Sequence, residues 1–167
     1  VMVEDLNKLI YPSYNEIWLY ENKRRVRDWL IAHNIPHPKT WIFYNIDEAL
    51  EFLKNTNYPI VSKTNRGASA SGVRILDNFK EAEKYTINAF NKGVKPLRSD
   101  SRDREWGYVI LQEYIQHEYE WRIAKIGDYY VYRKKLKVGN FCSGSGNVIY
   151  EKPPIKLFSF VREVSNI

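Results

Sequence analysis

A lysine and a run of small residues stand close together in this sequence, and their combination could bind an anion. Lys63 lies near the end of the apolar run at residues 60–64, and residues 67–72 (GASASG) carry almost no side-chain bulk. Backbone N–H groups can wrap an anion where side chains leave room, and a lysine adds a positive charge directed at the same group. Since another apolar run follows at residues 73–76, the stretch predicts a β-hairpin whose long, flexible tip contacts an anionic ligand.

Two familiar phosphate-binding fingerprints do not match this stretch. A P-loop has the same separation of its glycines but needs Lys and then Ser or Thr after the second one, where this chain has Val73 and Arg74. The dinucleotide fingerprint fails because Gly67 lacks the required neighbouring glycine. An ordinary hairpin tip with an incidental lysine is the alternative, although a lysine on the same side of a strand as Val61 usually has a partner.

A second candidate lies where a later apolar run turns polar. Gln112 and Glu113 follow the apolar residues 109–111, and the chain becomes apolar again at Ile115. Adenine needs a flat apolar slot with one donor and one acceptor, which the end of an extended strand can supply. The same residues also fit an ordinary strand that reaches solvent.

Charged side chains follow in the next two predicted strands. Glu120 could accept hydrogen bonds from sugar hydroxyls and Arg122 could bind a phosphate, although a surface ion pair is the more common role of such neighbours. The basic residues around Arg133 could face phosphates, nucleic acid or water. On their own these residues do not indicate a function, and they support an anion-binding site only in combination with Lys63 and the glycine-rich stretch.

Length, charge and cysteine content limit the class of protein. The chain has 167 residues, of which 44% are hydrophobic, so it can form one domain or two small lobes. A net charge of +6 favours an anionic partner. The single cysteine, Cys142, excludes an internal disulfide, and no apolar run has membrane-spanning length, so we expect a cytoplasmic protein without a membrane partner. The three histidines lack metal-ligand spacing, so no metal site is predicted.

The elements that must position these residues alternate between helices and strands. Helices are predicted to begin near Asn22, Asn45, Asn78 and Pro153, and strands at residues 39–44, 60–64, 73–76, 108–115, 121–126 and 129–136. Residues 1–20 lack a clean period and are interpreted as a leading segment or the tail of a preceding domain. The charged residues 95–107 form a natural boundary, so the sequence predicts an α+β fold with lobes at 21–105 and 106–167.

In this order, the segments of the chain resemble the ATP-grasp family, in particular its ligases that join carboxylates to amines. The resemblance rests on Lys23 at a helix start and on IPHPKTWIF, YPIVSKTNRGASASGV, VILQEYI, EYEWRIAKIGDYYVYRKKL and SGSGNV, and it covers roughly residues 21–167. It implies two small α+β lobes with the nucleotide between them, the second lobe incomplete. It also implies an ATP-dependent ligase that activates a carboxylate as an acyl-phosphate for attack by an amine or a similar nucleophile.

The resemblance implies a role for each matching residue. Lys23 and Lys63 hold the nucleotide phosphates, and a loop containing Gly67, Ser69, Ser71 and Gly72 closes over them. Gln112, Glu113 and Ile115 contact adenine, and Glu120 contacts the ribose. Arg122 and Arg133 are the catalytic candidates, directed at the terminal phosphate and the acyl-phosphate.

Magnesium is implied by the family, but its expected ligands are missing from this chain. Family members hold the ion through an Asp on a later strand and a Glu-x-Asn on the next, whereas only Glu151 and Glu163 follow the second small-residue loop. We therefore expect a ligase truncated before its metal-binding strands, with ATP and Mg²⁺ as cofactors, the metal ligands outside this chain and no catalysis by this chain alone.

The expected partners are a nucleotide and a small-molecule or peptide carboxylate, and homo-oligomerisation is left open. A basic module for single-stranded nucleic acid is an alternative, since residues 129–135 interleave aromatic and basic side chains. A nucleotide-sensing relative that binds ATP without catalysis is another.

Overall fold

The computed structural model describes residues 2–167 and divides the chain into two compact units. Unit 1 extends to Tyr114, and unit 2 comprises residues 115–167. Both units combine helices with antiparallel sheets, so the predicted α+β class is confirmed. Of the segment predicted over residues 1–20, residue 1 lies outside the described part of the chain. None of the helices in the described part is long and apolar enough to cross a membrane.

In its described residues, unit 1 contains a four-stranded antiparallel sheet and five α-helices. The helices are α1 (Met2–Asp5), α2 (Tyr14–Leu19), α3 (Lys23–Ala32), α4 (Ile46–Asn55) and α5 (Phe79–Asn91), and Ser101–Asp103 forms a 3-10 turn. The strands are β1 (Thr40–Phe43), β2 (Ile60–Lys63), β3 (Val73–Leu76) and β4 (Val109–Glu113), in the order β1-β4-β2-β3. Asn22, Asn45 and Asn78 cap α3, α4 and α5 through their side-chain oxygens, as the sequence predicts.

Within residues 2–20, the structure contains helices α1 and α2, which the sequence analysis did not predict. Ser13 and Glu16 form a capping box at the start of α2, in which each side chain accepts a hydrogen bond from the other residue's backbone N–H. A Ser followed three residues later by Glu is a sequence signal for a helix start. The segment therefore contained a local signal for a helix start, although its apolar residues show no regular helical period.

The core of unit 1 lies between one face of the sheet and helices α4 and α5. It consists of buried side chains from both helices and from three strands: Ala49, Leu53, Ile60, Leu76, Ala82, Tyr85, Ala89, Val109 and Leu111. The side chains of successive strand residues point to opposite faces, so this core fixes which residues of each strand lie on the other face.

Unit 2 is built around a long hairpin. Its strands β5 (Tyr119–Ile126), β6 (Tyr129–Leu136) and β7 (Val148–Ile149) form an antiparallel sheet in the order β5-β6-β7. Helix α6 (Ile155–Val164) packs on one face through Phe158, whose ring centroid lies 5.2 Å from that of Tyr130. Among its residues, only Cys142 and Pro153 are buried.

The boundary between the compact units lies between Tyr114 and Ile115. Strand β4 therefore belongs to unit 1, where it pairs with β1 and β2. The lobe limits predicted from the sequence, 21–105 and 106–167, stay predictions. The placement of β4 follows from its apolar residues, which complete the core under α4 and α5.

Candidate functional site

Two of the predicted residues on β2 and β4, Lys63 and Gln112, lie on the sheet face that α4 and α5 do not cover, whereas alternation places Glu113 on the same face as Val109 and Leu111. Ile60, Val109 and Leu111 point into the core, so strand alternation places Lys63 and Gln112 on the opposite face. Ile110, which pairs with Lys63, shares that face and is 1% exposed. A half-buried lysine therefore stands beside apolar neighbours, as its position in the strand predicts.

Lys23 lies directly at the glycine-rich stretch. Its Nζ donates to the backbone oxygens of Gly67, at 3.1 Å, and Asn65, at 3.5 Å. The buried Asn65 fixes the start of α3 as well, because its carbonyl accepts from the Lys23 N–H and its side-chain Oδ1 from the Arg24 N–H. Burial lowers the pKa of Lys23, and the nearby carboxylates of Glu105 and Glu21 oppose this shift. The structure thus brings together two sequence-predicted features that are 44 residues apart.

The hairpin predicted around residues 60–76 is confirmed. β2 and β3 pair from Ile60 with Leu76 to Lys63 with Val73. The base of the connecting loop is closed by a hydrogen bond of 2.8 Å from the Thr64 N–H to the Gly72 oxygen. A Cβ at Gly72 would lie 1.7 Å from the Thr64 Oγ1, so only glycine fits there. The close approach of the Thr64 side chain explains this glycine.

The middle of the loop is held from one side by residues 96–97. The Leu97 N–H donates to the Ser71 oxygen at 2.7 Å, and a Cβ on Gly67 would lie 3.0 Å from the Pro96 side chain. Gly67 has φ +116°, and Ser69 adopts a left-handed backbone with φ 51°. The predicted tip therefore has defined anchors on one side, while Ser69 is exposed. The flexibility of the tip stays a prediction.

Glu105 contacts the glycine-rich hairpin region, although the sequence analysis did not predict a role for this residue. Its carboxylate accepts hydrogen bonds from the backbone N–H groups of Asn65, at 2.6 Å, and Arg66, at 2.9 Å, and from the Tyr108 hydroxyl, at 2.8 Å. Burial and the Glu105 carboxylate raise the pKa of Tyr108. The Arg24 guanidinium lies 4.2 Å from the Tyr108 ring centroid. Glu105 belongs to the charged stretch 95–107, which has no period that could reveal a tertiary contact.

The polar end of β4 is tied to β1. Gln112 Nε2 donates to the Thr40 Oγ1 at 2.7 Å, and Glu113 Oε1 accepts from the Lys39 N–H at 2.7 Å. Both predicted adenine contacts therefore have partners within unit 1. Ile115, the third, is the first residue of unit 2, is 50% exposed, and its carbonyl lies 2.6 Å from the His117 Nδ1.

The three predicted residues of unit 2 share one face of the β5–β6 ladder. Arg122 lies directly opposite Arg133, and Glu120 opposite Lys135. The alternate positions carry Tyr130, which contacts α6, so these three residues lie on the face away from that helix. The structure therefore places Glu120, Arg122 and Arg133 on one face of the ladder, and their roles in binding stay predictions.

The described side chains do not fit a magnesium site. Among the described side chains, the group of three His, Cys, Asp or Glu residues close enough to share an ion is that of His117, Glu120 and Cys142. Mg²⁺ takes oxygen ligands in octahedral geometry, and a nitrogen and a sulfur donor do not suit it. The expectation that magnesium ligands lie outside this chain stays a prediction.

Comparison with known proteins identifies the class. Phosphoribosylamine–glycine ligase of Clostridium acetobutylicum is 32% identical over 109 residues, which are 65% of this chain and 24% of that ligase. A RimK domain ATP-grasp protein of Sphaerobacter thermophilus superposes with a TM-score of 0.61 at 14% identity, covering 87% of this chain and 49% of that one. The carboxyaminoimidazole ribonucleotide synthase of Aspergillus clavatus, in complex with ATP, gives 0.57 at 14% identity, covering 83% and 34%. No family model matches the chain.

The fold is that of the ATP-grasp class. The chain has the ATP-grasp fold, and the relatives that it matches are ligases, so the predicted resemblance and fold are confirmed. It spans about a quarter of the length of the curated relatives it matches first.

Proposed function

We propose that this chain is the ATP-binding part of a ligase that activates a carboxylate with ATP for attack by an amine. The observation that carries the proposal is the contact between the Lys23 ammonium and the glycine-rich hairpin, 3.1 Å from Nζ to the Gly67 oxygen. The name of the relative from C. acetobutylicum describes the joining of an amine to glycine, and the neighbour from A. clavatus is complexed with ATP. Both names support a ligase that uses nucleotide.

In unit 1, Lys23 and Lys63 are proposed to bind the phosphates. The Lys23 ammonium is fixed at the loop by two backbone carbonyls, which costs little reorganisation when an anion binds. Gly67, Ser69, Ser71 and Gly72 are proposed to bring backbone N–H groups to the same phosphates. Gln112, on the sheet face opposite the core, is proposed to contact the base.

In unit 2, the pairing of Arg122 with Arg133 supports an anionic ligand. Like charges directly opposite each other in an antiparallel ladder destabilise the sheet unless a counter-charge lies nearby. A phosphoryl group or a carboxylate would supply it. Glu120, two residues from Arg122 on the same face, is proposed to accept hydrogen bonds from the ribose hydroxyls.

The proposed reaction has two steps. A carboxylate oxygen of the substrate attacks the γ-phosphorus of ATP, and the bond between the γ-phosphorus and the bridging β-phosphate oxygen breaks. ADP is released, and the substrate becomes an acyl-phosphate. The amine then attacks the acyl carbon, loses a proton, and inorganic phosphate leaves. Residues of this chain hold oxygens in line and neutralise charge that spreads over the transferred group, which is the main demand of phosphoryl transfer.

Calorimetric titration of ATP into the chain tests the proposal. Replacing Lys63 or Lys23 by Ala should weaken ATP binding by about 10- to 100-fold, since each removes a charge-assisted hydrogen bond worth roughly 1.5–3 kcal/mol. Lys54→Ala is the matched control, because Lys54 is an exposed lysine of unit 1 whose partner is Glu51, at 3.1 Å.

Equal affinities of all three folded variants would contradict the proposed phosphate site. Saturable, salt-sensitive binding of a single-stranded oligonucleotide without any binding of ATP would contradict the nucleotide proposal and favour the basic nucleic-acid module instead.

A further inference from the structure

A fully buried cysteine in unit 2 has a histidine and a carboxylate beside it. Cys142 is 0% exposed. His117, Glu120 and Cys142 each place one potential ligand atom within 4.8 Å of those of the other two residues. His117 Nε2 is 3.2 Å from Glu120 Oε1. These residues are 25 positions apart at most and show no sequence spacing typical of a metal site, so only the folded hairpin reveals the cluster.

The orientation of the His117 ring is fixed by the backbone. Its Nδ1 lies 2.6 Å from the carbonyl oxygen of Ile115, and a carbonyl can only accept, so Nδ1 carries a proton. In the neutral ring, Nε2 then presents a lone pair to the Glu120 carboxylate, which also only accepts. Two acceptors 3.2 Å apart repel each other unless a proton or a metal ion lies between them. Donation of the other ring nitrogen to a carbonyl is the usual support of a metal-binding histidine.

We infer that His117, Glu120 and Cys142 form a binding site for a borderline-soft divalent cation such as Zn²⁺. The ligands are the His117 Nε2, one Glu120 carboxylate oxygen and the Cys142 Sγ, a nitrogen, oxygen and sulfur set that suits zinc. Tetrahedral zinc places its ligand atoms about 3.5 Å apart, so the cluster contracts only modestly on binding. Three protein ligands leave a fourth position for water.

The binding step exchanges protons for the metal. The Cys142 Sγ–H bond breaks, the proton passes to solvent, and the thiolate forms the bond to the ion. Burial raises the pKa of this thiol; Glu120 and Glu118 act in the same direction, and Lys137 and Lys135 oppose them. The His117 and Glu120 side chains are 37% and 44% exposed, so an ion can reach the cluster from solvent.

The segment that carries Cys142 is attached to the strand ladder that carries Glu120. Lys135, which pairs with Glu120, donates from Nζ to the Ser143 Oγ at 3.3 Å, and the Leu136 N–H donates to the Asn147 oxygen at 2.9 Å. A unit that buries so few side chains gains proportionally more from a metal cross-link between its segments. Glu120 is also proposed to contact the ribose, but metal binding requires no nucleotide.

Titration of Co²⁺ and Zn²⁺ into the 167-residue chain without nucleotide tests the inference. Co²⁺ should give a saturable thiolate-to-cobalt charge-transfer band, which Zn²⁺ displaces, with one ion per chain and release of protons. Cys142 is the sole cysteine, so the band reports on this residue alone. His117→Gln should weaken Zn²⁺ binding by more than the roughly 10- to 100-fold that loss of an outer-shell partner costs.

His37→Gln is a matched control. The His37 Nδ1 lies 2.7 Å from the Ile35 oxygen, the same arrangement as in His117, but no cysteine or carboxylate completes a cluster around it in the described residues. This variant should bind Zn²⁺ as the unchanged chain does. No charge-transfer band, or equal weakening by His37→Gln and His117→Gln, would overturn the inference. Cys142→Ser should abolish the charge-transfer band; if this variant fails to fold, the partly exposed His117→Gln variant keeps the test decisive.

Discussion

The two units differ in how much of the chain they bury. In unit 1, two helices cover one sheet face over a core that includes Leu53, Ile60 and Leu111, each at most 1% exposed. In unit 2, only Cys142 and Pro153 are buried. Unit 1 can therefore hold its loop through a rigid frame, whereas unit 2 presents charged side chains on a thin hairpin. The difference predicts where a substitution acts through folding and where it acts through binding.

The largest expected effect is in the core of unit 1. Leu53→Ala should lower the free energy of unfolding by about 2–5 kcal/mol, because the buried side chain leaves a cavity between α4, α5 and the sheet. Leu157→Ala, in the half-buried face of α6, is the counterpart and should cost less than half as much. Urea denaturation measures both. Equal losses would break the comparison of the two units.

Removing the Glu105 carboxylate should give the next largest effect. Glu105→Ala leaves the N–H groups of Asn65 and Arg66 without their charged acceptor, which should cost roughly 1.5–3 kcal/mol. Hydrogen exchange of these two amides should also accelerate. Glu118→Ala, in unit 2, removes a carboxylate that is 76% exposed and 3.9 Å from its partner Lys137, and it should change stability very little. Unchanged exchange in Glu105→Ala would show that this carboxylate does not hold the loop.

Two glycines should respond to alanine for different reasons. Gly72→Ala places a Cβ against the Thr64 hydroxyl and should cost about 1–3 kcal/mol through overpacking. Gly127→Ala, in the β5–β6 turn, meets no atom within 4 Å but has φ +57°, so it should cost about 1 kcal/mol through backbone strain. Thermal denaturation compares them. A Gly72→Ala variant as stable as the unchanged chain would contradict the close packing at the base of the hairpin.

The smallest effect concerns two lysines with opposite pKa shifts. Burial lowers the pKa of Lys23, so folding stability rises with pH through that lowered value up to the unfolded value. The hydrogen bond of 2.8 Å to Glu151 raises the pKa of Lys134, so its contribution is present below the unfolded pKa and is lost above the raised value. NMR titration of the two side chains should give these directions, and Glu151→Gln should return only Lys134 towards its ordinary pKa of 10.5. A Lys23 pKa above its ordinary value would contradict the burial seen here.

Local signals in the sequence predicted most of the elements. Asn22, Asn45 and Asn78 marked three helix starts, and alternation placed Lys63 on a defined strand face. Capping and alternation act over a few residues, so one segment suffices to recognise them. Helix α2 was not predicted, because its capping box precedes residues whose apolar pattern is irregular.

Contacts between distant segments could not be predicted in the same way. The carboxylate of Glu105 reaches Asn65 across 40 residues, and Cys142 meets His117 and Glu120 only after the β5–β6 hairpin forms. Neither arrangement leaves a period or a spacing in the sequence. The roles of Lys23, Lys63 and the adenine and ribose contacts came from the family resemblance rather than from the residues themselves.

Hydrogen exchange of the backbone amides tests the central claim most directly, with the chain alone, with ATP and with adenosine. If the glycine-rich hairpin binds the nucleotide phosphates, ATP should slow exchange of the amides at residues 64–73, and adenosine should not. Binding of ATP without slower exchange in this segment, or equal protection by adenosine, would contradict the assignment of the phosphates to the Lys23, Lys63 and hairpin region.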